Sequence, residues 1–189
     1  MKKFLKYIAI IGIAFVADFF SKTALLGFLA AKYGNMVYDA NKICAKCDIE
    51  GIFVSWKYIL GGDTWLSNLF NIQFVWNHGI SFSALNSIMP IVLILFGAII
   101  ISYLFYYLFF KAARYEKLAI SMIIGGALGN LVDRIRFGAV ADFIQWHIGG
   151  LWTFPAIFNV GDMFITFGVI IYLINLFRNR KCCMCDCKK

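Results

Sequence analysis

Four stretches of this chain are nearly unbroken hydrocarbon, at about 5–29, 88–110, 118–132 and 158–177. Crossing a bilayer core roughly 30 Å thick takes about 20 apolar residues in a helix, so each stretch is read as a membrane span with ends open by several residues. Composition agrees: 62% of residues are hydrophobic, 15% are charged and the mean hydropathy is +0.79. The expected class is an all-α integral membrane protein of four transmembrane helices with a small extracytoplasmic β-sheet or loop subdomain. The 189 residues leave room for a single membrane domain, 1–189, and no second soluble one.

The outer loop, 32–87, mixes charge, Gly, Asn and aromatics, and within it Phe70-Asn71-Ile72-Gln73-Phe74-Val75-Trp76 partly alternates apolar and polar residues. That pattern predicts a strand at the membrane surface. With four spans, Lys2, Lys3 and Lys6, the turn holding Lys111, Arg114 and Lys117, and Arg178, Arg180 and Lys181 of the Cys-rich tail 178–189 all fall on one side. The positive-inside bias makes that side, with both termini, cytoplasmic. Lys32, Lys42, Lys46 and Lys57 lie outside, in a loop long enough for the rule to weaken. The net charge of +8 is accounted for by these anchors and by anionic lipid, without nucleic acid. The first segment starts as a signal peptide does, with Met1-Lys2-Lys3, but its apolar run is long, contains Asp18 and Lys22, and has no clear small-x-small site after it, so it is read as a retained span. No Cys follows that run directly, as a lipoprotein precursor would require.

An acid beside hydrocarbon is costly and points to function. Asp18 lies about 20 Å into the first helix at about 1.5 Å per residue, and Lys22 follows one turn later, where the two can pair. Asp133 and Arg134 close the third span, Asp142 lies in the connection after it, and Asp162 opens the fourth. These groups are expected to converge near the outer leaflet. The plain alternative makes Asp142 and Asp162 interfacial acids that cap helices or pair with Arg134 and Arg136.

Five segments in order carry a resemblance: Asp18-Phe19-Phe20-Ser21-Lys22, Asn77-His78-Gly79-Ile80-Ser81-Phe82, Gly125 through Arg134 (GGALGNLVDR), Val140-Ala141-Asp142-Phe143 and Phe158-Asn159-Val160-Gly161-Asp162. Together they resemble the bacterial lipoprotein signal peptidases, or signal peptidase II, over about 4–177. The resemblance implies an aspartic endopeptidase of the inner membrane that removes the signal peptide from diacylglyceryl-modified prolipoproteins just before the lipidated Cys. It makes Asp142 and Asp162 the catalytic pair. Asn77, Asn130, Arg134 and Asn159 become groups that line or support the site, and Asp18, Lys22 and Asp133 supporting residues. It further implies membrane lipid as surroundings, globomycin-like cyclic peptides as inhibitors, and no cofactor. Ile80 and Gly161, where the family often has Ala, and the long 32–70 insertion depart from its pattern.

The chemistry stands without the family. Two carboxyls hydrolyse a peptide bond when one takes a proton from water and the other donates to the scissile carbonyl. Close together in a poorly solvated site, they resist double ionisation and share a proton. No metal is needed, and His78 and His147 lack zinc-ligand spacing. Phe143, Trp146, Trp152 and Phe154 are candidates to pack on lipid or the signal helix.

More ordinary roles compete elsewhere. Asn77 and Asn159 suit turns or N-caps, Asp18 and Lys22 a structural ion pair, and Gly125 and Gly129, a GxxxG pair, close helix packing. Cys44 and Cys47 suit a local disulfide in an oxidising compartment. Cys182, Cys183, Cys185 and Cys187, across the bilayer, suit adventitious soft-metal binding. Two other functions compete with this reading. A transporter would need polar residues through the whole membrane thickness, whereas the cytoplasmic half here is nearly pure hydrocarbon. A redox or scaffold protein would lose function when all six Cys become Ser.

Overall fold

The computed structural model describes residues 2–38, 52–54, 70–79, 89–148 and 152–186. Four long helices carry the apolar stretches: α1 (Lys2–Tyr33), α2 (Met89–Phe110), α3 (Lys117–Phe137) and α4 (Val160–Asp186). Each is long and apolar enough to cross a membrane, over Phe4–Lys32, Pro90–Phe110, Lys117–Phe137 and Val160–Arg178. Helices are the economical choice there because a backbone in hydrocarbon must satisfy its own N–H and C=O groups. A 3-10 turn, Asn35–Tyr38, follows α1, and four strands complete the fold: β1 (Ile52–Val54), β2 (Phe70–Asn77), β3 (Val140–Ile148) and β4 (Trp152–Phe158).

Several boundaries differ from the sequence reading. The third helix runs on to Phe137, so Asp133 and Arg134 are inside it, and Phe158 ends β4 rather than opening the fourth span. Asp142 lies in the connection between the third and fourth helices, as expected, and there it is part of β3. The helix α4 continues into the Cys-rich segment as far as Asp186. Cys44, Cys47, Cys187, Lys42, Lys46, Lys57 and the motif residues Ile80, Ser81 and Phe82 lie outside the described residues.

The chain folds into two compact units. One comprises Met1–Phe19, Leu95–Asn130 and Val160–Lys189, and the other Phe20–Ile94 and Leu131–Asn159. In the first, α3 meets its neighbours through small residues. A side chain at Gly125 would place its first carbon 2.5 Å from the Ala14 Cβ, and one at Gly129 would collide with the Asp18 carboxylate, both on α1. On the α4 side, Gly126 lies against the Gly161 carbonyl, and Gly168 of α4 lies against the Ala119 carbonyl of α3. The GxxxG pair therefore lets α1 and α3 approach to backbone contact, as small residues do where lipid offers no hydrophobic drive for association. The same approach admits a carboxylate between two helices.

In the second unit the strands form one antiparallel sheet in the order β1-β2-β3-β4. The alternation of β2 is real: Phe74 and Trp76 are buried while Asn77 is exposed. Their rings meet edge to face at 5.3 Å, Trp76 lies 5.0 Å from Phe137, and its indole N–H donates to the Val37 carbonyl at 3.1 Å. The third strand has no such alternation because Val140, Ala141, Asp142 and Phe143 are all buried. It lies between β2 and β4, and a strand covered on both faces reads as an apolar run. Pro155 falls in β4, an edge strand, where its missing N–H is tolerated.

Replacing Gly129 by Val should lower stability by about 1–3 kcal/mol or more, the usual range for overpacking. Gly12→Ala, at a position with no neighbouring atom within 4 Å, should be near neutral. Thermal unfolding of both variants in detergent checks the pair.

Candidate active site

Asp142 is delivered by sheet register. Val75 of β2 pairs with Asp142 and Asn77 with Val140, so Asn77, two residues beyond Val75, lies on the same face and diagonal to the acid. Its amide donates to Asp142 Oδ2 at 2.8 Å. On the other side Phe158 pairs with Ile144, and the next residue, Asn159, donates to Asp142 Oδ1 at 2.6 Å. Both carboxylate oxygens thus accept an amide N–H, and the side chain is 2% exposed. Hydrogen bonds to a charged group typically contribute about 1.5–3 kcal/mol each, which fixes the rotamer of a buried acid.

The amide of Asn77 is itself oriented, because its Oδ1 accepts the Gly79 N–H at 2.8 Å. Gly79 has φ of +89°, a backbone conformation that favours glycine. Gly79 lies within the Asn77–Phe82 motif, which by itself assigns it no role. An Asn followed two residues later by Gly was the available signal for such an Asx turn.

Asp162 is held in the other unit. It lies in the first turn of α4, half-buried, and Asn130 of α3 donates to its Oδ1 at 2.8 Å. Asp18 binds the same helix end: its Oδ1 accepts the Gly161 N–H at 2.6 Å, and the residue is fully buried. The first N–H groups of a helix lack intrahelical partners and carry partial positive charge. An acid from α1 therefore caps the turn that bears Asp162, while Asn159, at the preceding position, turns its amide to Asp142.

Lys22 and Asp133 form a buried ion pair at 3.1 Å, their side chains 3% and 5% exposed. Asp133 Oδ2 also accepts the Ala141 N–H at 3.2 Å, one residue before Asp142. The pair anchors the start of β3 to α3. Arg134 is half-buried in the last turn of α3, and its carbonyl accepts the N–H of Gly138, a left-handed glycine at φ of +73° that ends the helix.

The expected residues therefore gather as Asp142 with Asn77 and Asn159, as Asp162 with Asn130, and as Lys22 with Asp133, whereas Asp18 serves a helix end. The proposed apolar contacts change. Phe143 is buried and unavailable to lipid or a signal helix, Trp146 is exposed, and Phe154 stacks on Phe158 at 5.5 Å.

The sequence model of a peptidase family described as signal peptidase (SPase) II matches residues 8–178. The chain is 39% identical over 140 residues to a lipoprotein signal peptidase of Anaplasma phagocytophilum (strain HZ), a match covering 73% of this chain and 88% of the relative. It is 36% identical over 119 residues to a lipoprotein signal peptidase of Rickettsia prowazekii (strain Madrid E), covering 61% of this chain and 60% of that relative. Among solved structures, it resembles one described as a bacterial membrane enzyme with a TM-score of 0.63 at 25% identity, covering 93% of this chain and 89% of that one.

Removing one member of a buried ion pair typically costs about 3–5 kcal/mol, because the other charge stays buried. Lys22→Met should destabilise the protein by that amount. Adding Asp133→Asn, which keeps an acceptor for Ala141, should restore more than half of it, as read from denaturant titration in micelles.

Proposed function

The chain belongs to the signal peptidase II family, a family of membrane proteases, and from that premise we propose that it removes the signal peptide from diacylglyceryl-modified prolipoproteins by aspartic chemistry. Asp142 and Asp162 act as the pair, cutting before the lipidated Cys. The observation that supports this best is that each acid accepts a hydrogen bond from an Asn of the same motif set: Asn77 and Asn159 for Asp142, Asn130 for Asp162. Asn159, which holds the first acid, is three residues before the second in the chain.

One carboxylate takes a proton from water as the water attacks the scissile carbonyl; the other, protonated, donates a hydrogen bond to the carbonyl oxygen as charge develops there. Collapse of the tetrahedral intermediate passes a proton to the leaving amine and returns the pair to its starting state. Neither acid is assigned as the base, because the proton belongs to the pair. The Asn amides orient the carboxyls, and Asp18 and the Lys22–Asp133 pair position the segments that carry them. Arg134, in the same motif as Asn130, is a substrate-contact candidate.

Topology completes the reading. Both termini face the cytoplasm, the sheet lies on the outer side of the inner membrane, and the acyl chains of the lipidated Cys stay in the outer leaflet beside the reacting bond. Cyclic peptides of the globomycin type would compete for the same site.

The test is cleavage of a diacylglyceryl-modified prolipoprotein by detergent-purified protein. Asp142→Asn and Asp162→Asn, at confirmed folding, should each lower the rate at least about a hundredfold, the lower range for loss of a general acid or base. Full activity in either variant would remove that acid from the mechanism. The wild-type rate should also fall at both pH extremes, once the pair is doubly protonated or doubly ionised. A rate rising steadily through high pH would contradict a shared proton.

A further inference from the structure

A cavity of about 290 Å³ lies in the unit formed by 1–19, 95–130 and 160–189, lined by Phe4, Lys6, Tyr7, Arg114 and Lys117. Phe4 and Lys117 each begin a membrane-spanning segment, and Arg114 lies in the short turn between the second and third. The cavity therefore sits where helices leave hydrocarbon, at the depth of lipid headgroups. Two of its three cations lie on rings: the Lys6 ammonium is 4.7 Å from the centre of the Tyr7 ring and that of Lys117 4.7 Å from the centre of Phe4, whose ring packs on Phe109 at 5.5 Å.

Among the described residues, the three cations that line the cavity have no matching acid. Glu116, the adjacent carboxylate in the chain, is buried and accepts the Ala113 N–H at 2.8 Å and the Tyr107 hydroxyl at 3.2 Å. Among the described residues no carboxylate forms an ion pair with Lys6, Arg114 or Lys117. A small site with aromatic walls, three uncompensated donors of positive charge and a position at the membrane edge matches one ligand chemistry: a phosphodiester carried on an apolar tail. We propose that this cavity binds the headgroup of an anionic glycerophospholipid. Lys6, Arg114 and Lys117 contact the phosphate, and Phe4 and Tyr7 pack on the glycerol and first methylenes. A phosphate without a tail would meet the same cations but would forgo the rings and the high local concentration that a bilayer supplies. The proposal is independent of the peptidase reading, since none of these residues belongs to the pair or its Asn partners.

Native mass spectrometry of the full, delipidated chain in detergent tests it, with phosphatidylglycerol, phosphatidylcholine and inorganic phosphate as probes. The expected result is one saturable phosphatidylglycerol adduct, with neither phosphatidylcholine nor millimolar phosphate taking its place. At about 1 kcal/mol per basic residue near an anionic lipid, affinity should fall about fivefold for Arg114→Gln and about a hundredfold for Lys6→Gln/Arg114→Gln/Lys117→Gln. Arg114 is exposed and outside the helices, so its single substitution remains informative if the triple variant does not fold. Unchanged phosphatidylglycerol binding in Arg114→Gln, equal retention of phosphatidylcholine, or displacement by free phosphate would each overturn the proposal, the last by showing a general anion site.

Discussion

A carboxylate placed against hydrocarbon must find donors inside the protein, because no water is there to supply them. Asp18, Asp133 and Asp142 are buried and Asp162 is half-buried, in a chain whose helices are otherwise built for lipid. Much of the local architecture follows from the donors these acids require. The capped start of α4, the anchoring of β3 at Ala141 and the amides of Asn77, Asn130 and Asn159 each place an N–H on a carboxylate oxygen.

Small residues on α3 make this geometrically possible. Half of its membrane-spanning window is buried, against 22%, 11% and 11% for the other three, so α3 is more covered by protein than any of them. Gly125 and Gly129 bring α1 close enough for Asp18 to lie against the Gly129 backbone, and Gly126 does the same for the Gly161 carbonyl. A larger side chain at any of them would separate the helices that must meet for Asp18 to cap the turn bearing Asp162.

How much of this was legible in sequence depended on the kind of signal each element carries. Long apolar runs announce helices, and the four spans are present, though the third extends to Phe137 because Asp133 and Arg134 are polar without breaking the helix. Alternation announced β2. It could not announce β3, buried on both faces through Val140–Phe143, nor β4, whose Pro155 argues against a strand unless its edge position is known. The motif residues were legible as a set, but their partners were not. Asp18 and Lys22 look like an i, i+4 pair in sequence, and nothing there announces that Lys22 also meets Asp133 or that Asp18 accepts the backbone N–H of Gly161. Periodicity along one helix reports neighbours on that helix, and these are contacts between segments far apart in the chain.

The choice of donor also separates the acids by the work each can do. A lysine ammonium only donates, and an ion pair contributes only while both members are charged. The Lys22–Asp133 pair suits a joint that never changes, and the backbone N–H on Asp18 suits a helix cap in the same way. An asparagine amide carries both donors and an acceptor, so it can satisfy a carboxylate oxygen or, after rotation of the amide or the carboxyl, a carboxyl O–H. Asparagine amides donate to both Asp142 and Asp162. In the proposed mechanism the two acids exchange a proton in every turnover and need partners that tolerate both states, as the asparagines beside Asp142 and Asp162 do and Lys22 beside Asp133 does not.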